Sequence, residues 1–141
     1  MNDWNTKIID EFRAKGGVGI PNFGDRLLLL TTRGAKSGRA HTTPLAYTRD
    51  GDRYVVIASK GGAPSNPAWY HNLLANGEAD VEVGRQRFHV SATPIPSGPE
   101  RDRLFNAQAA IMPGFAEYEL KTTRIIPVVV LERANEVRLA A

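Results

Sequence analysis

Apolar and polar positions alternate along this chain with two periods, and each period marks a kind of element. Over residues 3–15, Trp4, Ile8 and Phe12 recur every four positions, which predicts an amphipathic helix with Asn2 or Asp3 as its N-cap. Gly16-Gly17-Val18-Gly19-Ile20-Pro21 ends it. Arg26–Thr32 is a continuous apolar run closed by threonines, the pattern of a buried strand. His41–Arg49 reads as a second strand, which Pro44 places at a sheet edge or a bulge because proline has no N–H to donate. Asp50-Gly51 signals a tight hairpin into Tyr54–Ala58. Pro67 then stands where a helix begins, with Asn66 as candidate cap and an apolar face of Trp69, Leu73 and Leu74, ending at Asn76-Gly77.

Period two returns in Ala79–Val83 and Arg87–Ala92, with Val81, Val83, Phe88, Val90 and Ala92 facing one way. Ser97-x-x-Glu100 is a capping box that opens a helix through about Ala110. Met112-Pro113-Gly114 breaks it before a short helical turn, Phe115–Leu120, and Ile125–Leu131 predicts a last buried strand. About six strands with flanking helices and no alternating βαβ units predict a single-domain α+β fold, a small β-barrel or strongly curved sheet. Residues 1–20 are expected to form an N-terminal amphipathic helix and entry loop, and residues 21–141 the barrel domain. The first helix either packs on that sheet or lies with Lys7, Arg13 and Lys15 near lipid headgroups.

Composition narrows the chemistry. The chain has 141 residues and no cysteine, so disulfides, thiolate metal sites and a cysteine nucleophile are excluded. The N-terminus shows no apolar h-region, and apolar runs such as Leu27 to Leu30 and Val128 to Leu131 are too short to span a bilayer. The expected location is cytoplasmic, with peripheral contact at the inner face of the cell membrane as an alternative. Charge is concentrated: residues 31–60 hold six Lys/Arg against Asp50 and Asp52, a net of +4, whereas the whole chain is +3. That points to a local site for a small anion and away from nucleic acid, since the segment lacks the aromatic interleaving of a stacking platform.

Two glycine-rich basic loops lie within or beside that segment. The first runs Gly34-Ala35-Lys36-Ser37-Gly38-Arg39 and the second Ser59-Lys60-Gly61-Gly62-Ala63-Pro64-Ser65-Asn66-Pro67. Small residues with Lys, Arg and Ser let backbone N–H groups and cations converge on a phosphate. The first is no Walker A loop, because Ala35 and Leu30 stand where glycines are needed. G-x-G-x-x-G and G-x-S-x-G are both missing, and His41, His71 and His89 lack metal-ligand spacing. With so little reactive chemistry of its own, the protein is expected to rely on a cofactor.

Residues 27–76 resemble the deazaflavin-dependent nitroreductase family of split β-barrels that bind coenzyme F420. The residues that carry the likeness are Leu28-Leu29-Leu30-Thr31-Thr32, Gly34-x-Lys36-Ser37-Gly38, Pro44-Leu45, Ser59-Lys60-Gly61-Gly62 and Asn66-Pro67-x-Trp69-Tyr70-x-Asn72-Leu73. Thr123-Arg124-Ile125-Ile126-Pro127-Val128-Val129-Val130 resembles the closing strand. The resemblance implies that the first loop holds the cofactor phosphate through Ala35, Lys36, Ser37 and Arg39. It implies that His41, Thr42, Thr43, Pro44, Leu45 and Ala46, with Ile57, Ala58, Ser59 and Lys60, line the deazaflavin and its ribityl chain, largely through backbone groups. Ala68, Trp69, Tyr70, His71 and Asn72 would complete the pocket. The family often has Arg at positions 35 and 41, where this chain has Ala35 and His41; Arg33 and Arg39 flank those places.

Tyr118 is the catalytic candidate, as substrate-binding residue and proton donor, with Phe115 in the substrate wall. The activity implied is hydride transfer from reduced F420 to a quinone, enone or nitroaromatic. A flavin mononucleotide oxidoreductase and a non-catalytic F420 carrier are the alternatives. A small-molecule acceptor is the expected partner, and the oligomeric state is left open.

Overall fold

A computed structural model describes residues 3–21 and 23–134, with side chains from Asn5 onward. The first helix, α1 (Asp3–Lys15), is where periodicity placed it; Asn2 and the Trp4 side chain lie outside the described residues. Seven strands follow: β1 (Leu27–Arg33), β2 (Ala40–Ala46), β3 (Thr48–Asp50), β4 (Arg53–Ile57), β5 (Glu78–Val83), β6 (Gln86–Ile95) and β7 (Val128–Arg133). Helix α2 (Ala68–Asn76) lies between β4 and β5, and α3 (Pro99–Ile111) and α4 (Gly114–Leu120) between β6 and β7. The strands form one antiparallel sheet in the order β2-β1-β5-β6-β7-β4-β3.

The strand count exceeds the expected six because His41–Arg49 is two strands. β2 pairs only with β1 and β3 only with β4, so the chain leaves one end of the sheet at Tyr47 and enters the other. Two strands consecutive in the chain can occupy opposite ends only if the sheet curls, and it does. Tyr47 sits at the crossing: its N–H donates to Arg26 O at 3.0 Å and its ring lies 5.7 Å from that of Tyr54 on β4. Pro44 stands on the edge strand β2, where a missing N–H costs the ladder nothing.

Alternation divides the apolar residues between two sides of the curled sheet. Leu28, Leu30, Val56, Ala58, Val129 and Leu131 face the inner core, joined by Trp69, Tyr70 and Leu73 from α2. Val55, Ile57, Val128 and Val130 face outward beneath Leu104 and Phe105 of α3. Leu27 and Leu29 face outward beneath Ile9 and Phe12 of α1. Fully buried strands therefore read as unbroken apolar runs, as β1 and β7 do.

Three local expectations are corrected. The capping box does not form: Gly98, at φ 102°, takes the N-cap position ahead of Pro99, and Glu100 instead accepts from Arg103 Nε at 2.7 Å. Asn66 does not cap α2, whose N-cap position is Pro67; its Oδ1 accepts from Arg124 Nη1 at 2.7 Å. The last strand begins at Val128, and Ile125 is exposed.

Helix α1 is a packed helix. Phe12 is 1% exposed and Ile9 6%, Arg13 pairs with Glu82 at 2.8 Å, and Lys15 pairs with Glu11 at 2.7 Å. No helix among the described residues is long and apolar enough to cross a membrane. Phe12→Ala should cost about 3–5 kcal/mol in urea unfolding, and removal of residues 1–15 should lower the melting temperature. A cost below about 1 kcal/mol, the scale of a surface substitution, would show that α1 does not support the sheet.

Candidate functional site

The curl sets the β1–β2 loop beside α2, and a groove of about 950 Å³ opens between them. Ala35, Lys36 and Ser37 form one wall, Ala68, Trp69, His71 and Asn72 the other, and His41, Thr42 and Thr43 of β2 the floor. Ten of the residues expected at a cofactor site from the resemblance thus line a single cavity, with Thr32, Gly34 and Asn5 as additions. Exposed Lys36 supplies the cation that a phosphate requires, and no hydrogen bond or ion pair holds it among the described residues.

The loop is built to hold its shape. Gly34 N–H donates to Arg39 O at 2.7 Å, Gly38 N–H to Gly34 O at 3.0 Å, and Arg39 N–H to Ser37 Oγ at 3.1 Å. A Cβ on Gly34 would stand 2.6 Å from Ser37 Oγ and 3.2 Å from His41 Nε2, so a larger residue there would displace the hydroxyl that holds the Arg39 N–H. Asn72 joins the loop to α2: its Oδ1 accepts from Ala35 N–H at 3.0 Å, and its Nδ2 donates to Thr32 Oγ1 at 3.1 Å. Asn76 adds a bond from Nδ2 to Arg33 O at 2.9 Å. Asn72 lines the groove and also sets the position of its opposite wall, a role that residue type alone did not reveal.

The cations sort into two groups. Arg49 lies 4.4 Å over the Tyr54 ring, and Arg53 pairs with Asp50 and Glu100, so neither serves the groove. Arg103 and Arg53 hold the Asp50 carboxyl down at about 2, fastening the β3–β4 hairpin to α3. Arg33, Lys36, Arg39 and Lys60 carry no carboxylate partner among the described residues and account for the local positive charge.

The remaining expected residues lie apart from the groove lining. Pro44, Leu45 and Ala46 continue along β2, and Arg39 is exposed at the rim of the loop. The side chains of Ile57, Ala58 and Tyr70 are buried in the cores, so Ile57 and Ala58 can offer only backbone groups, and burial raises the Tyr70 phenol pKa. Ser59 and Lys60 form the second loop. Ser59 is right-handed helical (φ −77°, ψ −39°) and Lys60 is left-handed at φ 49°, the sole positive φ outside glycine among the described residues. A left-handed conformation costs a non-glycine residue roughly 1–2 kcal/mol. Such strain is a pointer to function. Successive right- and left-handed residues also turn consecutive N–H groups toward one side, the arrangement of an anion-binding nest.

Tyr118 is not in the groove lining. It packs on the outer-face cluster with its ring edge-on to Phe115 at 5.5 Å. Its helix does border the second loop, since a Cβ on Gly62 would lie 2.8 Å from Tyr118 O. Sequence reasoning placed Arg124 in the closing-strand motif and gave it no role. Its Nε donates to Ala63 O (2.9 Å), Nη1 to Asn66 Oδ1 (2.7 Å), and Nη2 to Ala58 O (3.2 Å) and Ser59 O (2.8 Å). A lone arginine at the head of an apolar run was the available signal.

The family model described as F420H2-dependent quinone reductase matches residues 4–133. The chain belongs to that family. An F420H2-dependent quinone reductase of Mycobacterium tuberculosis (strain H37Rv) is 47% identical over 126 residues, spanning 85% of this chain and 83% of that protein. A solved F420-H2 dependent reductase (FDR-A) superposes with a TM-score of 0.69 at 37% identity, covering 76% of this chain and 94% of its own. A structure described as a domain-swapped dimer superposes at 0.71 with 35% identity, covering 90% of this chain and 93% of that one. The fold is the split barrel of that family, the protein is an oxidoreductase, and its cofactor is coenzyme F420.

The residues present fit that cofactor. A phosphate-bearing deazaflavin needs an exposed cation, convergent small residues and an apolar wall, and the groove supplies Lys36, the Gly34–Gly38 turn and Trp69. Because Asn72 sets the wall, Asn72→Ala should lower stability by about 1–3 kcal/mol, the cost of leaving the buried Thr32 hydroxyl without its partner. Thermal unfolding checks this, and an unchanged melting temperature would remove Asn72 as the link between loop and helix.

Proposed function

We propose that this F420-dependent reductase delivers hydride to a quinone. The observation that carries the reading is the groove itself, with Lys36 and Ser37 on one wall and Trp69 on the other in a chain that the quinone reductase family matches over residues 4–133. The M. tuberculosis relative, named for the same acceptor, supports it. When bound, reduced F420 supplies a two-electron hydride from its deazaflavin ring.

This chain's residues hold, orient and donate. Lys36 Nζ and Ser37 Oγ bind the phosphate, joined at the rim by Arg39. β2 is an edge strand, so the backbone groups of Thr42 to Ala46 on its unpaired side are available to a planar ring and its polyol chain. Trp69, His71 and Asn72 close the groove on the other side. The second loop, Ser59 and Lys60, offers N–H groups toward ring oxygens. Tyr118, whose hydroxyl makes no hydrogen bond among the described residues, is proposed to pass its proton to the acceptor oxygen. Its place on the helix that borders Gly62 supports that role. An apolar quinone suits the aromatic pair Phe115–Tyr118 better than a charged acceptor would. The site is proposed to work in the cytoplasm. Peripheral membrane contact through α1 would rest on Lys7, since Arg13 and Lys15 are held in ion pairs.

Turnover of reduced F420 should be faster with a naphthoquinone than with a nitroaromatic or an enone of similar size. A clear preference for the nitroaromatic would reassign the acceptor, and background rates with all three would favour a carrier. Lys36→Ala should weaken F420 binding by about 1.5–3 kcal/mol, as expected for a charged hydrogen bond to phosphate; an unchanged affinity would shift the anion site to Arg33, Arg39 or Lys60. Tyr118→Phe keeps the ring and removes only the hydroxyl, so turnover should fall by about 10²–10⁴ while F420 affinity holds. Full activity in that variant would leave Tyr118 with packing alone.

A further inference from the structure

We propose that Arg124 is a positioning residue, which shapes the second cofactor loop from behind and so sets how tightly that loop engages F420. The proposal rests on the reading of Ser59 and Lys60 as cofactor-facing.

Arg124 stands between α4 and β7, outside both loops. Its donors fan out to four oxygens, all between residues 58 and 66: Ala58 O, Ser59 O, Ala63 O and Asn66 Oδ1. No carboxylate accompanies it among the described residues, and burial pushes its pKa down. A half-buried guanidinium without a counter-ion is placed there at an electrostatic cost, offset by the loop carbonyls it gathers. A salt bridge that merely tied elements together would have paired it with an acid.

The direction of these bonds carries the argument. Every described peptide is trans, so a C=O and the following N–H point opposite ways. Arg124 Nη2 draws both Ala58 O and Ser59 O toward itself. The N–H groups of Ser59 and Lys60 must therefore face away from it, and neither has a partner among the described residues. Lys60 stays in its left-handed conformation at φ 49° because the carbonyls on its N-terminal side are fixed. Within the loop, Ser59 O also accepts from Gly62 N–H (3.0 Å), and Lys60 O accepts from Ala63 N–H (3.1 Å). One side chain thus fixes a strained turn, the outward face of two amides and the place from which the Lys60 side chain departs. Lysine could not substitute, since a point ammonium cannot meet four oxygens spread in a plane.

The test compares Arg124→Met and Arg124→Lys with the parent. In cofactor-free protein, hydrogen exchange at Gly62 and Ala63 should quicken by about tenfold or more in both variants, while Val56 and Val129 in the β4–β7 pairing keep their protection. F420 should then bind about tenfold more weakly, with the KM for F420 rising and kcat within about threefold, because a misplaced binding loop loses affinity before chemistry. Added guanidinium should recover part of the affinity in Arg124→Met. If that variant fails to fold, Arg124→Lys carries the same measurements. The proposal is overturned by unchanged loop exchange, by unchanged F420 affinity, by equal loss of protection at Val56 and Val129, or by a lysine variant that matches the parent. A parent protein that does not bind F420 would defeat the reading of the loop as a cofactor site, while the exchange result would still decide whether Arg124 shapes it.

Discussion

Curling of the sheet is the constraint on which the rest of the structure depends. β2 and β3 are joined through Tyr47 yet stand at opposite ends of a seven-strand order, so the sheet must bend until its ends approach. That bend turns the even leucines of β1 into a closed inner core and its odd leucines into a seat for α1. It also brings the β1–β2 loop up to α2, which Asn72 and Asn76 then fasten. The groove is a product of the curl, and its polar walls are held by side chains of the opposite element.

Elements with a single dominant local cause were legible in the sequence. Periodicity placed α1, the Asp50-Gly51 signal placed the β3–β4 hairpin, and alternation put Val81 and Val90 on one face. The first loop and α2 both line one groove, and glycine and proline shape them there through local geometry. What failed depended on competition between neighbours. Ser97 and Glu100 form a good capping pattern, but Gly98 and Pro99 take the helix start from them. Asn66 is a good cap in isolation, but Arg124 claims its carbonyl from 58 residues away. Tyr47 looks like any strand residue, and nothing local says that the sheet must change partners there.

Charge was legible in amount more than in use. The cations of residues 31–60 first looked like one pool, yet Arg49 is held by an aromatic face and Arg53 by two carboxylates. The cations left over, Arg33, Lys36, Arg39 and Lys60, flank the two loops. Arg124 shows the converse case. It lies far from the basic segment in sequence, and its importance appears only when its four acceptors are seen to belong to one loop.

The central claim is that this groove binds a deazaflavin through a charged phosphate contact in a site too specific for an ordinary flavin. Fluorescence titration of the purified protein with F420 and with flavin mononucleotide, at low and at high salt, tests it most directly. F420 should bind the more tightly of the two and weaken as salt screens the exposed lysine and arginine contacts. Flavin mononucleotide binding as tightly as F420, or F420 binding indifferent to salt, would contradict the account.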